Sequence, residues 1–198
     1  MLPFTQCWVD SYFQIKEAKA IKLEACTRRQ SLCSKWHDAR EWRLTASRFG
    51  DVTHMTARRN VDKLCDSICF PPVLSGPPVI HGLKFETVAS KCGVFVHLSY
   101  PYLGATPDGV IDDDKIIEIK CPYTGNIAPG KYLPSLEYLD GGSKVRLSRH
   151  SRYYSQIQGQ LYLSKHQLCF FIIFTHKDLY IEKIEVDNDY CKGPLLRA

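Results

Sequence analysis

Pro107-Asp108-Gly109-Val110-Ile111-Asp112-Asp113-Asp114-Lys115-Ile116-Ile117-Glu118-Ile119-Lys120 is the stretch on which the reading of this chain turns. Apolar runs on both sides of three consecutive aspartates describe a tight β-hairpin. With Asp113 at the centre of the turn, the antiparallel register sets Asp108 opposite Glu118, and opposed side chains lie about 4.5–5.5 Å apart at Cβ. Strand alternation puts Lys120 on the Glu118 face and turns Ile119 into packing, with its backbone carbonyl left as a further metal ligand. A slip of one residue would send one acid to the wrong face, so the reading depends on the register. Two facing carboxylates repel unless a cation or solvent intervenes. Hard oxygen donors favour magnesium, or manganese in its place, over zinc. An ammonium beside them is placed to orient water or to stabilise negative charge. A lone Glu-x-Lys of this kind reads better as a solvated acidic hairpin with Lys120 as a surface partner; the segments around it turn the reading to metal-dependent phosphodiester cleavage.

The flanking segments supply helices and further strands. Leu83, Phe85, Val88 and Ala89 recur at helical spacing over residues 81–92, with Glu86 toward the border of the apolar stripe. Residues 153–163 read as a second helix, with Ile157, Leu161 and Tyr154 on the buried side and Gln156 and Gln160 sharing a face one turn apart. Thr45-Ala46-Ser47 precedes a short helix containing Phe49, Val52 and Met55. Thr45 or Ser47 is suited to cap it, and a helix N-terminus beside an arginine makes an anion site. The most apolar run, residues 168–174, is too short to span a membrane and reads as a buried central strand, with residues 179–186 alternating as its neighbour. Helices are also expected within residues 10–25 and 61–68, a proline-rich connector over 71–78, and a long irregular stretch over 125–142 that borders substrate or simply lies on the surface.

With these segments in hand, the chain resembles the PD-(D/E)XK nuclease superfamily, and within it the YqaJ group that includes the lambda-type exonucleases. The matching residues run from about Trp36 to Tyr162: Arg40 through Arg43-Leu44-Thr45-Ala46-Ser47, Gly82 with Glu86, Gly104-Ala105-Thr106-Pro107-Asp108-Gly109, Glu118-Ile119-Lys120-Cys121-Pro122, and Tyr153-Tyr154 with Gln156 and Gln158. Each motif is weak alone; their order and spacing are specific. The resemblance implies an α/β fold, a mixed central β-sheet flanked by helices around a restriction-endonuclease-like core. It implies a 5′-to-3′ exonuclease on double-stranded DNA in recombination or end processing. Asp108, Glu118 and the Ile119 carbonyl would hold magnesium, Glu86 would support a second ion, and Lys120 and Gln156 would position the water. Arg40 and Ser47 would hold a terminal 5′-phosphate, with Arg43 sharing or replacing that role, and Tyr153 would line the cleft. A single-strand-annealing or other recombination partner is implied as well, while the oligomeric state, including a ring of like subunits, stays open. Two alternatives are carried: an endonuclease of the same superfamily that nicks or resolves branched DNA, and a non-catalytic DNA-binding module that keeps the fold.

Composition agrees. A chain of 198 residues with 44% hydrophobic residues suits one α/β domain, here a core over 36–190 with an N-terminal helical extension over 1–35. The formal charge is +5 although the candidate site concentrates acids, so basic residues gather elsewhere. Lys144, Arg146, Arg149, His150 and Arg152 cluster before the glutamine helix, and Arg58-Arg59 forms a smaller group. Such a stretch suits contact with a phosphate backbone, or else a solvated loop. The odd count of 9 cysteines, with no CxxC pair and no signal peptide, points to reduced thiols in an intracellular compartment, nucleus or cytoplasm, rather than to secretion. Neither an iron-sulfur cluster nor a zinc site is expected from the cysteine and histidine spacings.

Overall fold

The computed structural model describes residues 14–56, 63–65, 89–112, 114–122, 139–141, 145–174 and 179–195. In chain order the first half holds α1 (Glu17–Cys26), α2 (Ser34–Arg40), β1 (Leu44–Thr45), α3 (Ala46–Thr53), β2 (Phe95–Val96) and β3 (Leu103–Ala105). The second half holds β4 (Gly109–Ile111), β5 (Lys115–Lys120), β6 (Leu139–Gly141), β7 (Val145–Leu147), α4 (Arg152–Ser164), β8 (Leu168–Phe174), β9 (Leu179–Glu185) and a short α5 (Asn188–Tyr190).

The hairpin forms in the expected register. Gly109 pairs with Ile117, Val110 with Ile116 and Ile111 with Lys115, which centres the turn on position 113. Asp112 takes the left-handed conformation (φ 52°) that reverses the chain, a conformation aspartate tolerates better than most residues. Strand β5 then pairs in parallel with β8, and β8 antiparallel with β9, giving a mixed four-stranded sheet in the order β4-β5-β8-β9. A parallel neighbour requires a crossover, and α4 provides it. Strand β8 is central, as its apolar run predicts. Only alternate residues, Cys169, Phe171 and Ile173, are fully buried; Leu168, Phe170, Ile172 and Phe174 on the other face are half-buried.

Helix α4 lies over this sheet. Ile157 and Leu161 pack with Ile116, Cys169, Phe171 and Ile173 in the main apolar cluster, and Ser151 caps the helix by accepting from the Tyr154 N–H at 3.1 Å, worth about 1 kcal/mol. The opposite side of α4 is covered by α3 at very close approach. A Cβ on Gly159 would fall 2.3 Å from the Phe49 ring, and one on Gly50 would fall 2.5 Å from the Arg152 Cβ. Glycine is therefore required at both positions of this crossing. The result is a helix buried nearly all round, with Ser155, Gln156, Gln158 and Gln160 among its buried residues. Buried amides must be bonded, and where theirs go defines the site.

A smaller sheet, β1-β3-β2, stands beside the first. Its outer face is covered by α1 and α2 through Val94 and Val96 against Ala39, Leu23 and Trp36. The N-terminal segment is tied in by polar contacts as well. Glu24 accepts from the Gly93 N–H at 2.9 Å, Thr27 from the Val94 N–H at 2.9 Å, and the Gln30 amide donates to the Cys92 and Pro107 carbonyls, each at 3.0 Å.

Several expectations are revised. The helix predicted over 81–92 does not extend to its end: Ser90 makes an antiparallel bridge with Val110, because the edge of β4 offers backbone partners there; residues 81–88, Glu86 included, lie outside the described residues. Of the helix expected within 10–25, Glu17–Cys26 is helical and residues 14–16 are not, while residues 10–13 lie outside the described residues. Residues 63–65 are helical, and the rest of 61–68 lies outside the description, as do 71–78, Arg58-Arg59 and Lys144. Of the stretch expected to be irregular over 125–142, Leu139–Gly141 is a strand paired with β7, and residues 125–138 and 142 lie outside the described residues. Neither Thr45 nor Ser47 caps α3 with its side chain; their hydroxyls bond each other at 3.1 Å. Every described cysteine is a free thiol, and no described helix is long and apolar enough to cross a membrane.

Candidate active site

Between β3 and β4 the chain passes from the small sheet to the large one through Thr106-Pro107-Asp108. Asp108 continues the hairpin ladder, its N–H donating to the Ile117 carbonyl at 3.1 Å. Its Oδ2 accepts from the Ile119 N–H at 2.7 Å, which clamps the acid across the hairpin beside Glu118. Ile119 itself occupies the strand position paired with Ile172 of β8.

Glu118 is only 3% exposed, and a buried carboxylate survives only with donors around it. It has several. Oε1 accepts from the Gln156 amide at 2.6 Å and from Lys120 Nζ, while Oε2 accepts from the Gln160 amide at 2.7 Å. Lys120 Nζ also donates to Gln156 Oε1 at 3.3 Å and sits 4.9 Å from the centroid of the Tyr153 ring, which in turn tilts against Phe171. Asp108, Glu118, Lys120, Gln156 and Tyr153, chosen from sequence, therefore converge. Gln160 joins them unexpectedly. Its sharing of a helix face with Gln156 was the available signal, one that does not by itself distinguish a site residue from a surface one.

The electrostatics follow from crowding. Burial, and then the neighbouring Glu118, push the Asp108 carboxyl up to about 7, against the opposing pull of Lys120 and the Ile119 N–H. Its outer edge nevertheless faces solvent, so the acid stands at an opening. Burial alone would lower the Lys120 pKa, but Glu118 and Asp108 outweigh it and hold the ammonium charged. Nearby thiols are kept neutral: burial and the acids raise Cys92 to about 12 and also raise Cys169 and Cys121. Cys92 serves as a donor to the Pro107 carbonyl at 3.2 Å.

A hard divalent cation fits this donor set. Glu118 Oε1 has both lone-pair directions engaged, whereas Oε2 and Asp108 Oδ2 each accept one bond and Asp108 Oδ1 none among the described residues. Gln160 Oε1 and Thr106 Oγ1 are buried with no hydrogen-bond partner among the described residues, so oxygen acceptors are in surplus beside the acids. Among the described residues no group of three or more His, Cys, Asp and Glu assembles; the acids gathered here are two.

The candidate phosphate contacts separate into kinds. Arg40 ends α2 with its guanidinium 4.2 Å over the Trp36 ring, has no carboxylate partner among the described residues, and is lowered to about 10 by burial. Ser47 is exposed in the first turn of α3. Arg43 instead binds backbone, donating to Pro101 O at 2.8 Å and Ala39 O at 2.6 Å. Arg149 pairs with Asp187 and Arg152 with Asp51 at 2.8 Å, while Arg146 is exposed on β7.

Residues 35–167 match the family described as the YqaJ-like viral recombinase domain. Among solved structures, the alkaline exonuclease LHK-Exo of Laribacter hongkongensis is similar at a TM-score of 0.56 and 23% identity, over 81% of this chain and 86% of that one. Its complex with dAMP gives 0.57 at the same identity and coverage. A SOX–DNA complex gives 0.58 at 12% identity, over 90% of this chain and 68% of that one. No curated protein matches the chain. At these identities the structural likeness speaks for the fold.

Proposed function

The chain belongs to the YqaJ-like viral recombinase domain family, and on that premise we propose that it is a magnesium-dependent exodeoxyribonuclease that degrades double-stranded DNA from a 5′-phosphorylated end. The carrying observation is the convergence of Asp108, Glu118, Lys120 and Gln156 on one point at the surface opening. A binding-only surface gains nothing from carboxylates that repel phosphate. The likeness to an alkaline exonuclease and to a protein solved on DNA supports the same reading.

Asp108 and Glu118 would hold the magnesium, or manganese in its place. When bound there, such an ion polarises the scissile phosphate and makes water more acidic. The protein's own groups do the rest. Lys120, held charged by the two acids, stabilises negative charge gathering on the phosphate. Gln156 fixes both the ammonium and Glu118 Oε1, so neither needs to reorganise as charge develops. Water oxygen joins phosphorus as the bond to the 3′ oxygen breaks, and a proton ends on that oxygen. Arg40, a half-buried cation with no carboxylate partner among the described residues, supports 5′-phosphate recognition with Ser47; the polarity rests on that assignment. A second ion at Glu86 and a recombination partner belong to the same proposal through the family alone.

The test is digestion of linear duplexes bearing 5′-phosphate or 5′-hydroxyl ends, and of covalently closed circles, with and without magnesium. Magnesium-dependent loss of the 5′-phosphorylated linear duplex, with circles untouched, is expected. Cleavage of closed circles would make the enzyme an endonuclease, and no cleavage of any substrate would leave a binding module.

A further inference from the structure

Gln160 is 1% exposed, and one end of its side-chain amide faces two acceptors at once, Glu118 Oε2 at 2.7 Å and the Thr106 carbonyl at 3.4 Å. Two acceptors fix that end as the NH2 group. Thr106 lies two residues before Asp108, on the arm that carries this acid, whereas Glu118 lies on the opposing strand. One helix side chain thus bonds both arms of the hairpin near their acids. Gln156 holds the other Glu118 oxygen from the preceding turn of the same helix, so the carboxylate is gripped on both oxygens and cannot rotate freely. The remaining Gln160 atom, Oε1, is buried beside the site with no partner among the described residues.

We propose that Gln160 is a positioning residue for the metal site: it sets the rotation of the Glu118 carboxylate and ties the Asp108 arm to it, so that the acceptor positions left on the two acids are presented together to one divalent cation. This rests on the metal-dependent reading above and adds to it a residue that acts through Glu118 and touches neither substrate nor scissile bond. Residues that orient metal-binding groups typically contribute about 10–100-fold in metal affinity.

Mn2+ binding to the full chain, followed by the electron paramagnetic resonance of the free ion, tests it in the absence of DNA. Gln160→Met keeps the volume and removes the donor, and Gln160→Asn keeps the amide but is too short to reach. Both are expected to bind Mn2+ roughly 10–100-fold more weakly, with the KM for duplex DNA unchanged and kcat recovering as Mn2+ is raised. A purely structural role would lower the melting temperature without that recovery. If either variant folds and binds Mn2+ as tightly as the wild type, the proposal is overturned, and it fails equally if neither folds. Failure of the wild type itself to bind Mn2+ would instead remove the metal-dependent reading on which this one stands.

Discussion

The two sides of α4 use the same side chain for opposite ends. Gln156 and Gln160, one turn apart, direct their amides at a buried carboxylate. Gln158, about 200° around the helix from each neighbour, donates to the Glu185 carbonyl at 3.0 Å and accepts from the Asp187 N–H at 2.7 Å. All three are buried. One side therefore holds a negative charge where it is otherwise unfavourable, while the other closes the backbone at the end of β9. Burial of a polar residue marks neither role; the charge of its partner does.

Asp108→Asn breaks the reactive side outright. DNA cleavage falls roughly a thousand-fold, the scale of losing one preorganised electrostatic group, while Asn still accepts from the Ile119 N–H. Stability moves the other way. The folded-state pKa is raised, so the acid favours folding only while protonated, and that contribution is lost as pH rises from about 4 in the unfolded chain to about 7. Metal-free melts should show the variant gaining over the wild type toward pH 8 and the two converging below pH ~4. Gln156→Leu should lower kcat about a hundred-fold with a smaller change in melting temperature, read by steady-state kinetics beside thermal melts. Gln158→Leu inverts this pattern. Unpairing the Asp187 N–H and Glu185 carbonyl costs about 2 kcal/mol of stability in denaturant titrations, with the rate per folded molecule unchanged; a lost rate would merge the two sides into one network. The smallest effects fall among the arginines outside α4's buried faces. Arg146→Ala should reduce the salt slope of duplex binding by about 1, and Arg149→Ala by less, since that guanidinium is committed to Asp187.

What was legible in the sequence is local. The hairpin register followed from the spacing of apolar residues around three aspartates, and α4 from helical periodicity. Once the register was right, the meeting of Asp108, Glu118 and Lys120 followed. Gln158 sits within the same motif as Gln156 but serves the backbone, a difference set by which element the helix turns toward, and pattern alone does not carry that information. Arg149 and Arg152 read as a basic stretch, yet their partners, Asp187 and Asp51, lie 38 and 101 residues away. The end of the predicted 81–92 helix gave way to the bridge at Ser90, a tertiary contact overriding periodicity.

The N-terminal segment has a consequence for where this protein is cut. Gln30 bonds Pro107, the residue immediately before Asp108, and Glu24 and Thr27 bond Gly93 and Val94 in the stretch entering β2. The recognisable family segment starts only at residue 35. A truncation drawn at that boundary, or a protease nick just upstream of it, would spare every residue of the reactive cluster and still remove the buttress behind one of its two acids.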